Sequence, residues 1–231
     1  WRIVPGAMPA PRTQPAPIEP LAIRYDAQHR GGIRYLRAAA LAWQPAGRDG
    51  AIDTGAIETF LGGYSIEVMP RTAEKVEDFR ALLPKGTRVY IAHIEGTPIE
   101  DMVATAKRLN NEGFTVMPHF PARIIPDRAT LADWIARYKG EANVRQALLL
   151  GGGVNTPAGE YDSSMQIVET GLFDGFERLH VAGHPEGNKD IDKDGGDKIV
   201  MQALKWKQAF SERTDAKMAI ATQFCFEAKP V

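Results

Sequence analysis

A single carboxylate, Glu67, interrupts the apolar run Tyr64-Ser65-Ile66-Glu67-Val68-Met69-Pro70. A lone carboxylate inside a strand is costly unless it is paired or used. Burial would raise its pKa and suit it to general-acid chemistry near neutral pH. A structural ion pair with an arginine is the competing reading. A chemical role is favoured, because Glu67 opens a series of strands that end in polar groups.

The histidines follow the same pattern. His119 and His184 each lie at the end of an apolar run and beside proline, in Met117-Pro118-His119-Phe120-Pro121 and His184-Pro185-Glu186-Gly187-Asn188. His93 stands in Ala92-His93-Ile94-Glu95-Gly96. No pair has the local spacing of a zinc site, so no metal is expected, and hydrogen bonding to a planar ligand is the better use. Gly151-Gly152-Gly153 also follows a strand. The dinucleotide pattern G-x-G-x-x-G fails at Thr156 and no Walker lysine follows,. Either a ligand or a tight turn would account for backbone this bare. Asp190-Ile191-Asp192-Lys193-Asp194-Gly195 copies the first half of a calcium loop, but the twelfth position is Met201 rather than a bidentate Glu, so a polar loop is expected,. Cys225 is the one cysteine and lies in the apolar stretch 219–226, where buried packing is favoured over reactivity,. Without an intrachain partner it fits a reducing compartment, hence a cytoplasmic location.

The elements that position these groups have a clear rhythm. Six short apolar segments, 64–69, 89–94, 115–119, 146–151, 179–183 and 218–224, alternate with amphipathic stretches. Helices are expected over Thr72–Leu83, Pro98–Asn111, Asp127–Tyr138, Asp162–Leu172 and Asp197–Phe210. Continuous apolar strands separated by helices predict a parallel sheet covered by helices. The expected class is α/β, a TIM-type (β/α)8 barrel of which about six βα units are present, with functional groups at the carboxyl ends of the strands. An open sheet, or one completed in trans, is the alternative.

Residues 61–231 are read as this barrel domain. Residues 1–60 are read as a low-order Pro/Arg/Ala-rich extension. Residues 1–50 hold seven arginines, no lysine, three acids and seven prolines. Proline at this density discourages packed structure. A short helix over Ile33–Trp43, or a folded cap, is the competing reading. The acid-poor character resembles a transit peptide, but serine is absent there,. The net charge of −1 and the lack of a basic block argue against a nucleic-acid partner,. No apolar run is long enough to span a bilayer, so no membrane partner is expected.

Several motifs in register resemble the methylenetetrahydrofolate reductase family. Ser65-Ile66-Glu67-Val68-Met69-Pro70 resembles its first strand, S-F-E-F-F-P-P, and Met117-Pro118-His119-Phe120 its third-strand histidine element. His184-Pro185-Glu186-Gly187 resembles the fifth-strand Y-P-E motif. Leu204-Lys205-Trp206-Lys207 resembles the L-K-x-K helix, and Ala221-Thr222-Gln223-Phe224-Cys225-Phe226 the sixth-strand I-T-Q-F-F-F motif. Order and spacing agree across residues 64–226.

The resemblance implies an FAD-containing barrel that reduces 5,10-methylenetetrahydrofolate to 5-methyltetrahydrofolate with NADH or NADPH. Glu67 would be the general acid that helps open the folate ring and would also contact substrate, as would Gln223. His119, Gly151, Gly152, Tyr161, His184 and Lys207 would line the flavin, and a cationic Lys207 would favour its phosphates. A homo-oligomer is expected. Three features depart from the family. The fourth strand usually ends L-R-G-D but here reads Leu149-Leu150-Gly151-Gly152. His184 replaces the Y-P-E tyrosine, and the seventh and eighth strands have no counterpart. A folate-linked methyltransferase partner and a non-catalytic folate- or flavin-binding subunit are the alternatives.

Overall fold

The computed structural model describes residues 54–226. The stretch Ile33–Trp43 and most of the Pro-rich segment lie outside them. A helix, α1 (Thr54–Leu61), spans the end of the segment read as low-order.

Six strands follow: β1 (Ser65–Val68), β2 (Arg88–Ile91), β3 (Thr115–Pro121), β4 (Gln146–Leu150), β5 (Arg178–Gly183) and β6 (Lys217–Thr222). All pair in parallel with their sequence neighbours, in the order β1-β2-β3-β4-β5-β6, and the sheet curls into a half-barrel. The intervening helices are α2 (Pro70–Ala73), α3 (Ile99–Asn111), α4 (Arg128–Ala142), α5 (Ser164–Glu169) and α6 (Lys198–Ser211). The fold is therefore α/β with a parallel half-barrel sheet, as the strand rhythm predicts.

Local chemistry sets the helix ends. Asp127 caps α4 by accepting a hydrogen bond from the Thr130 amide at 2.7 Å,. Asn143 ends that helix in the left-handed conformation, φ 48°,. The α3 chain turns at Gly113, φ 93°, before entering β3. The expected helix over Thr72–Leu83 is broken. Only the single turn α2 and a 3₁₀ turn, Phe79–Ala81, form there. Arg108 of α3 reaches this segment. Its guanidinium donates to the carbonyls of Ala73, Val76 and Glu77 at 3.0, 2.6 and 3.0 Å. The expected helix over Asp162–Leu172 shortens to α5.

The two faces of the sheet differ. The outer face and the helices enclose the main core, where Ile91, Met102, Leu109, Phe120, Leu131 and Leu149 are fully buried. Each such side chain contributes about 1.5–3 kcal/mol. The inner face is smaller and more polar. Tyr90, Met117 and Leu148 form its apolar part, with Leu150 and Ala221 against them. Because side chains alternate along a strand, Glu67, His119 and His180 share this inner side, and all three are buried. Cys225, expected to be buried, is only half-buried.

Candidate functional site

Two clusters of functional side chains emerge. The first lies on the inner face of the sheet. Glu67 of β1 and His119 of β3 are separated by one strand, and both are nearly inaccessible to solvent. His119 Nε2 lies 3.1 Å from Glu67 Oε2, close enough for an ion pair but not aligned as a hydrogen bond. The carboxylate is thus held against a histidine, a partner the sequence did not point to.

Sequence reasoning did not single out Tyr90 and His180. Tyr90 is the Cα partner of Glu67 across the β1–β2 pair. Its hydroxyl and His180 Nδ1 share a hydrogen bond of 2.6 Å, joining β2 to β5 across the hollow of the sheet. Burial, reinforced by the charges of Arg88 and Arg178, lowers the His180 pKa to about 3, so the ring is neutral at physiological pH,. Its Nε2 is buried without a hydrogen-bond partner among the described residues. The Tyr90 ring also meets His119 edge-on, with centroids 6.3 Å apart.

The second cluster is a cavity of about 700 Å³ at the carboxyl ends of β4, β5 and β6. Gly151, His184 and Lys207 all line it, so three expected cofactor-binding residues meet there. Gly183, which also lines it, sits so close to β6 that a Cβ would collide with the Ile220 side chain. Lys207 projects from α6 and donates to the Ala182 carbonyl at 2.7 Å. Burial lowers its pKa to about 8. One wall is fixed by Arg123, just beyond β3. Its guanidinium holds Asp162 Oδ1 at 2.8 Å and the Asp162 carbonyl at 2.9 Å, and its amide donates to the Gly151 carbonyl. Asp192, in the run that imitates a calcium loop, is buried and accepts hydrogen bonds from the Ile199 and Val200 amides. That carboxylate caps α6.

The other expected residues lie elsewhere. Gly152 adjoins the cavity wall with φ 97°, and a Cβ there would stand 3.1 Å from Pro121 Cβ. Tyr161 is buried and packed within the main apolar core. Gln223 follows β6 with an exposed side chain, while its amide donates to the Gly183 carbonyl. His93 packs against Trp134, ring centroids 4.7 Å apart, and its Nε2 bonds the Thr97 carbonyl.

Among the described residues, no three His, Cys, Asp or Glu side chains converge as a metal site. Nor is any helix there long and apolar enough to cross a membrane. No protein-family model matches the chain.

Proposed function

We propose that this chain is a flavin-dependent reductase of a folate-bound one-carbon unit, converting 5,10-methylenetetrahydrofolate to 5-methyltetrahydrofolate with NADH or NADPH. The half-barrel would correspond to the first six βα units of an eight-stranded barrel. Cytoplasmic location and homo-oligomeric assembly belong to the same proposal. The observation that carries the reading is the contact of Glu67 with His119. These residues come from two motifs far apart in sequence, and their side chains meet at 3.1 Å.

The cavity fits a flavin in size and lining. Its volume of about 700 Å³ falls within the range of roughly 300–1,000 Å³ usual for cofactor and ligand sites. Val200, Leu204 and Ile220 supply apolar wall, and Lys189, Lys193 and Lys207 supply cations suited to phosphate,. Bound flavin would supply the two-electron step between the nicotinamide and the one-carbon unit. The protein's own part begins with Glu67, which would give a proton to the folate nitrogen as the five-membered ring opens. His119 would fix the orientation of that carboxyl group. Lys207, anchored on the Ala182 carbonyl, would hold negative charge at the cavity wall. Gln223, exposed beyond β6, would reach the folate.

Gly152 favours a second reading, a non-catalytic folate- or flavin-binding subunit, because a glycine stands where the resembled family has its acid. One experiment separates the two. The purified protein is loaded with FAD, and its visible spectrum is followed without oxygen as NADH or NADPH and then methylenetetrahydrofolate are added. Bleaching followed by recovery supports the reductase. A protein that stays yellow throughout is the binding subunit, and one that takes up no FAD is neither.

A further inference from the structure

Lys207 is the only buried lysine among the described residues. Its amine has one partner, the Ala182 carbonyl at 2.7 Å, and no described carboxylate lies within ion-pair distance. Val200, Ala203 and Leu204, on the same face of α6, line the cavity with it, and Ile220 of β6 contributes further apolar surface. A lysine set this way is a nucleophile in waiting, because desolvation favours the neutral amine. We propose that Lys207 is a covalent capture site for small anionic aldehydes, forming an imine with an aldehyde that enters the cavity. The assignment stands on the cavity and does not require the flavin reading.

The chemistry balances with the aldehyde alone. A neutral amine keeps one N–H on the Ala182 carbonyl and offers its lone pair to the aldehyde carbon. The carbonyl π electrons move to oxygen and the first N–H proton passes to that oxygen, giving a carbinolamine. The remaining N–H proton then leaves the Ala182 carbonyl and departs with the hydroxyl as water, and the freed N–H electron pair forms the C=N bond. With a pKa of about 8, about one amine in ten is neutral at pH 7, against about one in three thousand for an ordinary lysine. The apolar wall limits the water that would hydrolyse the product. The lining also selects for charge. Asp162 is held by Arg123, so of the carboxylates among the described lining residues Asp190 remains to set against the cations Lys189 and Lys193. An aldehyde with a phosphate or carboxylate tail is therefore preferred over a neutral one.

The test is to incubate the full chain with pyridoxal 5′-phosphate at pH 7, trap imines with borohydride and map modified lysines by peptide mass spectrometry. Lys207 should be labelled ~10-fold ahead of any exposed lysine. Phosphate-free pyridoxal should label it several-fold more slowly, a gap that replacing both Lys189 and Lys193 by Gln should close. Lys207→Arg should lose the label while retaining a cation. Label confined to exposed lysines overturns the assignment, and equal labelling by the two aldehydes overturns its anionic specificity. The wild-type map is decisive even if a variant misfolds. A protein that never takes up flavin yet labels at Lys207 loses the flavin reading and keeps this one.

Discussion

The hydroxyl of Tyr90 on β2 lies 2.6 Å from Nδ1 of His180 on β5, bridging the hollow of the sheet between strands that are not neighbours. Both side chains are buried, so neither has water to fall back on. Tyr90→Phe keeps the ring and strips His180 Nδ1 of this partner. The variant should lose about 1–3 kcal/mol, read as a lower urea midpoint at unchanged slope. A midpoint equal to wild type would show that the bond contributes nothing net.

The same histidine makes stability depend on pH. Its folded pKa of about 3 lies below the usual value near 6.5. Between those values the unfolded chain binds a proton that the folded chain refuses, so stability rises with pH across that window. The contribution is complete above about pH 6.5 and is lost as pH falls towards 3. His180→Gln removes this titration. Its stability should vary less steeply with pH than wild type below pH 6.5, and parallel curves would rule out His180 as the source.

Glu67→Gln tests the proposed proton donor. The amide preserves size but has no acidic proton. Turnover should fall by ~10²–10⁴ while FAD uptake, measured by absorbance, remains. Unchanged turnover would remove Glu67 from the chemistry.

Restoring the acid of the resembled family at Gly152 should not restore a family-like site. With φ 97° and Pro121 Cβ only 3.1 Å from a new Cβ, Gly152→Asp carries backbone strain and crowding of about 1–3 kcal/mol. A lower melting temperature without gain of activity is expected. A stable, more active variant would show that the loop relaxes freely.

Arg108→Met should loosen the segment after β1. It removes hydrogen bonds to the carbonyls of Ala73, Val76 and Glu77 and the ion pair with Glu112. A loss of about 1–3 kcal/mol and faster amide exchange across 73–80 should follow. Exchange unchanged there would mean that Phe79, buried in the core, suffices to hold the segment.

The strand rhythm of this fold is legible in the sequence because parallel strands are short, apolar and bounded by helices. What escaped is set by partners distant along the chain. The carbonyls after Ala73 are bonded by Arg108 of another helix, a partner no local propensity encodes. The role of Asp192 depends on the helix start that folds back onto it. Tyr90 and His180 sit inside continuous apolar runs, where nothing marks which residues face inward. Gly151, His184 and Lys207 were legible as motif residues, and the helix–sheet packing gathers them at one cavity. Tyr161 carried no signal distinguishing a ring in the core from one beside a ligand.

The neighbour-to-neighbour strand order also bears on how the protein is made. Each strand after β1 finds a pairing partner in the segment synthesised just before it. Assembly along the sheet can therefore proceed in step with the ribosome, one βα unit docking on the last. Contacts that skip strands come later. Glu67 meets His119 only once β3 has emerged, and the Tyr90 hydroxyl meets His180 only after three further strands, so that last bond registers the closing of the curve rather than its beginning.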